Sequence, residues 1–266
     1  MAGENNKVVI VTGGSSGIGR CTASALKENG CIVYEFSRRN IPMEGVTHLS
    51  VDVTDEDAVN AAVQQVIQKG TKIDVVINCA GFGISGAVEF TSMEQAKAQF
   101  DVNFFGTVTV NKAVLPFLRH QGKGHIVNIS SVAAVAHIPF QTFYSASKAA
   151  VSSYSYALAN EVKPYGIHVT VVELGDICTG FTKARQKSIL GDDEYGGRIS
   201  RSVSQMEHDE QNGMDPARIG RYIAGIVEKK KPAVVYVAGA QYKFLSLLCK
   251  LLPAAARGKI VGKIYG

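Results

Sequence analysis

Short, nearly continuous apolar runs alternate along the chain with longer stretches in which apolar residues recur every three or four positions. The runs Lys7–Thr12, Ile32–Phe36, His48–Val51, Ile73–Asn78, His125–Ser130, His168–Leu174 and Val234–Val237 predict strands. Their β-branched residues follow one another instead of alternating with polar ones, as in parallel strands covered on both faces. Between them, Gly17–Asn29, Asp55–Lys69, Ser92–Arg119, Thr142–Lys163 and Asp215–Lys230 have helical spacing. Thr54-Asp55-Glu56-Asp57 supplies a cap and early negative charge to one of these. Alternating strand and helix implies right-handed crossovers. The expectation is therefore a single doubly wound α/β domain, with a parallel sheet of about seven strands and helices on both faces. Only the polar stretch Gly180–Gly213 breaks the rhythm. It follows the sixth strand on the carboxyl side of the sheet, so it is expected to be a substrate lid over about 180–213.

Composition narrows the class. Of 266 residues, 46% are hydrophobic and 19% charged, which is too apolar for a disordered chain. The 27 glycines show no fixed period, so the chain is not collagen-like. A net charge of +5 suits an anionic ligand but falls short of a nucleic-acid footprint, so no nucleic-acid partner is expected. Five cysteines without paired spacing read as reduced thiols. Six scattered histidines, with no cysteine neighbour, give no reason to expect a metal. The N-terminal stretch Met1–Lys7 is polar, and no run approaches the roughly 20 apolar residues of a membrane span. A cytoplasmic protein is expected.

The chemistry begins where the first strand enters Thr12-Gly13-Gly14-Ser15-Ser16-Gly17-Ile18-Gly19 and a helix opens. Glycines there permit a tight turn and a close backbone approach to a pyrophosphate, which the free N–H groups of the helix start would hold. The spacing is not that of ordinary Rossmann dehydrogenases. Thr-Gly-xxx-Gly-Ile-Gly resembles the short-chain dehydrogenase/reductase family, and the resemblance extends over about residues 7–240. Asp52-Val53 matches the family's adenine-holding position. Asn78-Cys79-Ala80-Gly81 matches its Asn-Asn-Ala-Gly, with Cys79 a departure. Asn103, Ser130-Ser131 and Tyr144-Ser-Ala-Ser-Lys148 follow in order.

The resemblance implies that Gly13, Ser15, Ser16, Gly17, Ile18, Gly19, Asp52, Val53, Asn78, Ala80 and Gly81 bind a nicotinamide cofactor. Past the second strand, Ser37 stands where a carboxylate would select NAD, and Arg38 and Arg39 follow. A guanidinium fork suits a 2′-phosphate, so NADP(H) is expected, with Arg38 the main contact and Ser37 in support. Tyr144 and Lys148 lie four apart on one helical face, where the ammonium would lower the phenol's pKa and make it an acid/base catalyst. By resemblance Lys148 also holds the nicotinamide ribose. Ser131, 13 positions earlier, would stabilise charge on the substrate oxygen. Asn103 would hold a water in a proton relay. Gly175, Ile177 and Thr179 would approach the nicotinamide, although Leu174 replaces the family's proline.

The expected reaction is interconversion of a ketone and a secondary alcohol on a lipophilic substrate. The chain is similar to hydroxysteroid dehydrogenases, and Val132, Val135, His137, Phe140, Phe143 and Phe181 predict a greasy pocket. A 3-oxoacyl carrier-protein reductase remains open, with Lys183, Arg185 and Lys187 as its basic patch. A non-catalytic NADPH sensor is a third reading, disfavoured by the intact Ser131, Tyr144 and Lys148. The resemblance implies a homodimer or homotetramer. The apolar tail at about 241–266 has three readings in order: a wall of the substrate pocket, a subunit contact, or a helix lying on a membrane.

Overall fold

β1 (Val8–Thr12) is buried at every position, with Val8 and Ile10 in one apolar core and Val9 and Val11 in another. A strand wrapped on both faces must lie between helical layers, and consecutive β-branched residues are what that position selects. The computed structural model describes residues 7–70 and 72–265; residues 1–6 of the polar N-terminal stretch lie outside them. β1 is followed by α1 (Gly17–Glu28), β2 (Ile32–Ser37), β3 (Val46–Ser50), α2 (Glu56–Gly70), β4 (Val75–Asn78) and a short β5 (Ile84–Ser85). Next come α3 (Met93–Phe100), a π-helical turn (Asp101–Phe105), α4 (Gly106–Gln121), β6 (Gly124–Ser131), α5 (Ala133–Ala136), α6 (Thr142–Val162) and β7 (Ile167–Leu174). The remainder holds α7 (Phe181–Ala184), β8 (Gln186–Lys187), α8 (Arg198–Gln211), α9 (Pro216–Val227), β9 (Val235–Val237), α10 (Ala240–Leu251) and α11 (Ala254–Tyr265).

The main sheet has seven parallel strands in the order β3-β2-β1-β4-β6-β7-β9. Val63, Val114 and Leu158 bring α2, α4 and α6 onto one face, and Leu26, Ile219 and Ile223 bring α1 and α9 onto the other. The doubly wound α/β expectation is met. The chain moves outward from β1 to β3 and then returns to β4, so the crevice at this reversal opens beside the carboxyl ends Thr12 and Asn78.

Several boundaries differ from the expected ones. Ser92–Arg119 is not one helix: the π turn interrupts it and turns Asn103 inward. Such a turn adds one residue to a helical repeat and commonly marks a functional position. Within the segment 180–213 expected as a lid, β8 pairs with β5, and α8 buries Ile199, Val203 and Met206 against Ala87 and Phe140. The tail forms α10 and α11. Among the described residues no helix is long and apolar enough to cross a membrane, and no cluster of His, Cys, Asp and Glu is arranged to hold a metal.

Candidate active site

Gly13 adopts φ +67°, and a Cβ there would come within 2.9 Å of the Ala80 backbone, so only glycine closes this turn onto the start of the β4 loop. Thr12 Oγ1 accepts from the Cys79 and Ala80 amides at 3.1 Å each, tying the ends of β1 and β4 together. Ser16, the N-cap of α1, makes no side-chain cap bond, so the first N–H groups of α1 remain available to an anion, with the positive end of the helix dipole behind them. This turn forms one end of a cavity of about 950 Å³. Gly13, Ser15, Ser16, Gly17, Ile18 and Gly19 line that end; Ser37, Arg38, Arg39, Asp52 and Val53 line its flank. Ala80 and Gly81 lead to Ser131, Tyr144 and Lys148, with Gly175, Ile177 and Thr179 opposite.

Asn78 is a correction. Its side chain does not line the cavity but donates to Asn111 Oδ1 at 2.8 Å and Asn128 Oδ1 at 2.9 Å inside a buried amide network. A buried amide must find such partners, and these lie on α4 and β6. The arginines also divide differently from expectation. Arg39 Nη2 donates to Ser16 Oγ at 3.4 Å, over the glycine turn, whereas Arg38 reaches toward Asp52 at 3.8 Å on the exposed rim. Ser37 Oγ donates to the Arg39 carbonyl at 3.0 Å and so fixes that corner.

Ser131 ends β6, and its hydroxyl bonds to the Tyr144 phenol and accepts from the Ala133 amide at 3.1 Å. Lys148 is buried, its Nζ donates to the Ile129 carbonyl at 2.9 Å, and it lies 5.9 Å from the Tyr144 ring centroid. The expected acid shift of the phenol is not found. Burial pushes the Tyr144 pKa up to about 12, against the lowering effect of the Ser131 bond. Burial also pulls Lys148 down to about 8, so part of the cationic charge that was to acidify the phenol is itself disfavoured.

Asn103 is fully buried beside this pair. Its Nδ2 donates to the Phe82 carbonyl at 3.0 Å and Ser147 Oγ at 3.1 Å, and its Oδ1 accepts from the Phe82 amide at 3.0 Å. Both side-chain amide hydrogens are thus taken by protein, so a relay water would meet Asn103 at an acceptor, the second lone pair of Oδ1 or the main-chain carbonyl that also accepts from Thr107 Oγ1. The π turn places Asn103 as a clamp on the Gly81-Phe82 segment.

Around Tyr144 the cavity also holds residues that the sequence did not single out. Asp176 follows Gly175, lines the cavity, and accepts from the Tyr242 hydroxyl at 2.8 Å. Burial pushes its carboxyl above the ordinary range. Glu210 on α8 lines the cavity too, accepting from Thr182 Oγ1 at 2.7 Å and from buried Arg185. Leu245, Leu248, Leu252, Ile260, Val261 and Ile264 of the tail complete an apolar wall. Of the residues expected to make the pocket greasy, Val132 and Phe181 line it, but Val135, His137, Phe140 and Phe143 do not. Phe140 packs on Tyr195, and Val135 lies against the Cys249–Val261 cluster. The three-residue basic patch is likewise dismantled, with Arg185 buried on Glu210 and Lys187 paired with Glu207.

A family model for the short-chain dehydrogenases matches residues 7–189. The chain belongs to the short-chain dehydrogenase family. This short-chain dehydrogenase is 45% identical over 229 residues to the 3-ketodihydrosphingosine reductase of Bacteroides thetaiotaomicron, covering 85% of each chain. It is 31% identical over 254 residues to a probable short-chain type dehydrogenase/reductase of Helicobacter pylori, covering 93% of this chain and 94% of the relative. Among solved structures, a short-chain dehydrogenase from Streptomyces avermitilis superposes with a TM-score of 0.84 at 30% identity over 98% of both chains. The aldohexose dehydrogenase of Thermoplasma acidophilum superposes with a TM-score of 0.76 at 27% identity, covering 90% of this chain and 94% of that one. This short-chain dehydrogenase is thus an oxidoreductase of carbonyl and alcohol groups, and its fold implies a nicotinamide cofactor. The residues fit that group: an uncapped helix start, a glycine closed onto backbone, and a cavity running from there to Tyr144.

Proposed function

We propose that this short-chain dehydrogenase is an NADP(H)-dependent reductase that converts a ketone to a secondary alcohol on a lipophilic, long-chain substrate. The observation that carries the reading is the single cavity, whose one end is the glycine turn and whose other end is the apolar wall of α10 and α11, with Ser131, Tyr144 and Lys148 between. Arg38 and Arg39 follow directly on Ser37, which takes the place of an NAD-selecting carboxylate; although Asp52 and Glu35 stand nearby, the two guanidinium groups favour a 2′-phosphate and hence NADP(H).

When bound, the reduced nicotinamide supplies the hydride. The chain supplies the proton and the geometry. Tyr144, with its pKa near 12, is fully protonated at neutral pH and donates to the carbonyl oxygen as negative charge develops there. Ser131 hydrogen-bonds the same oxygen. Lys148 keeps two N–H groups beyond its bond to Ile129, and these hold the ribose hydroxyls and replenish the phenol's proton. Asn103 positions the Gly81-Phe82 backbone against Lys148. Gly175, Ile177 and Thr179 face the nicotinamide end. Asn78 acts at one remove, by fixing the end of β4.

Between the steroid expected from the sequence and a straight-chain ketone, the 45% identical relative favours the second. Its name denotes a ketone on a sphingoid base, a long-chain amino alcohol. Asp176 would accept an ammonium next to the ketone, since the other carboxylate of the chamber, Glu210, is already taken by Thr182 and Arg185, and the alkyl chain would lie along the tail helices. The segment 180–213 covers this chamber as a lid through Phe181, Ala184 and Glu210. The carrier-protein reading loses support with its basic patch.

The test is NADPH oxidation with 3-ketodihydrosphingosine, a 3-ketosteroid and acetoacetyl thioester in parallel. The highest kcat/KM is expected for the first; a preference for either other ketone, or for NADH, overturns the corresponding part of the reading.

A further inference from the structure

The tail helices have a side that the cavity does not use. Around α10, Tyr242, Leu245, Leu248 and Cys249 turn to the cavity, while Ser246 is buried on Glu173 of β7. The third side carries Phe244, Leu247 and Leu251, which are 68%, 57% and 74% exposed. At spacings of three and four they form one stripe along the helix. α11 adds Ile260 and Ile264, 39% and 53% exposed, and these also line the cavity, so they stand at its mouth. Single exposed apolar residues are ordinary, but a stripe joined to the rim of an apolar cavity is a binding surface.

The charge carried by the tail itself has one sign. Residues 229–266 contain eight lysines and arginines and no aspartate or glutamate, whereas the rest of the chain has a small acidic excess. Lys243, Lys259 and Lys263 are exposed on the same two helices. A two-fold contact with a second copy would set this cationic patch against itself, so charge favours an anionic partner. An anionic surface that also accepts a long apolar stripe is a lipid bilayer.

We propose that the exposed face of α10 and α11 docks on an anionic membrane surface. Phe244, Leu247 and Leu251 enter the acyl boundary, the lysines meet lipid phosphates, and the cavity mouth at Ile260 and Ile264 opens toward the bilayer. A long-chain ketone would then enter from the lipid, and only that consequence rests on the proposed function; the docking does not.

The test is flotation of the full chain with vesicles of phosphatidylcholine alone and of phosphatidylcholine with phosphatidylglycerol. The chain is expected to float with the mixed vesicles, to be released by high salt, and to float poorly with phosphatidylcholine alone. Two variants, F244S/L247S/L251S and K259E/K263E, are each expected to lose roughly tenfold in bound fraction while keeping the wild-type thermal midpoint. Absence of flotation by the wild type, or undiminished flotation of K259E/K263E, overturns the proposal. So does a wild-type dimer that the triple serine variant dissolves, because the face then belongs to a second copy. No substrate enters this measurement, so a failure of ketone reduction leaves its outcome readable.

Discussion

Lys148 Nζ donates to the Ile129 carbonyl at 2.9 Å while standing 5.9 Å from the ring centroid of Tyr144, so β6 anchors the amine beside the tyrosine ring. Burial sets the two pKa values in opposite directions, the amine at about 8 and the phenol at about 12. The group that changes charge nearest physiological pH is therefore the lysine.

For ketone reduction, kcat/KM is expected to be level below pH 8 and to fall above it as Lys148 loses its proton. The phenol remains a competent donor throughout that range. A pH series from neutral to strongly alkaline checks this, and a fall that begins only near the ordinary tyrosine pKa of about 10 would assign the titration to Tyr144 instead.

Replacing Lys148 by Met is expected to abolish turnover and to stabilise the protein. The folded pKa of about 8 lies below the ordinary lysine value of 10.5, so the unfolded chain binds more protons between these values and stability rises with pH across that window. Below pH 8 the whole penalty is present, roughly 3 kcal/mol at 1.36 kcal/mol per pH unit, less about 1 kcal/mol for the lost bond to Ile129. The thermal midpoint of K148M should exceed that of the wild type at pH 7, and the gap should narrow toward pH 10. An equal or lower midpoint at pH 7 contradicts the argument.

Tyr144→Phe removes one hydroxyl and leaves the ring against Phe181, 5.7 Å between centroids. Loss of a positioned proton donor costs about 10²–10⁴-fold in kcat. NADPH affinity, read by fluorescence titration, should be unchanged. Retained turnover would remove the phenol from the mechanism.

The cofactor corner separates two arginines. Arg39 is held over the glycine turn through Ser16, and Arg38 reaches across the rim to Asp52. Substituting either by Ala should raise the KM for NADPH and leave that for NADH unchanged. A charged hydrogen bond worth about 1.5–3 kcal/mol corresponds to about tenfold to a hundredfold. Equal losses with both cofactors would show that the arginines shape the turn without reading a phosphate.

The sheet was legible because strands buried on both faces favour apolar residues at consecutive positions, as in β1, Val75–Ile77 of β4 and Ile126–Val127 of β6. The glycine turn and the Tyr144–Lys148 pair were legible because each needs a fixed spacing within a few residues. Helical periodicity does not register a single extra residue, so the π turn at Asp101–Phe105 was hidden and Ser92–Arg119 read as one helix. A motif position does not say where a side chain points, and Asn78 turns into an amide network with Asn111 and Asn128, residues far from it in sequence. The apolar tail could be a wall or a surface; α10 is both, and only the fold separates Leu248 from Leu247. Asp176 was quoted within a motif, yet its meaning depends on Tyr242, 66 positions away.

That last pairing gives the substrate prediction. Tyr242 Oη donates to Asp176 Oδ2 at 2.8 Å, and a Cβ at Gly175 would overlap the Tyr242 ring, so the carboxylate is aimed by close packing of α10 on the β7 loop. Asp176→Asn keeps an oxygen for the tyrosine and removes only the charge. If an ammonium on the substrate meets this carboxylate, the KM for an amine-bearing long-chain ketone should rise about tenfold to a hundredfold, the loss of one charge-assisted contact. The kcat should change less than the KM, because the proton comes from Tyr144 and Asp176 reaches the phenol only through its charge. A long-chain ketone without the amine should be indifferent to the substitution. Equal losses with both ketones would mean that Asp176 supports the loop and does not read the substrate.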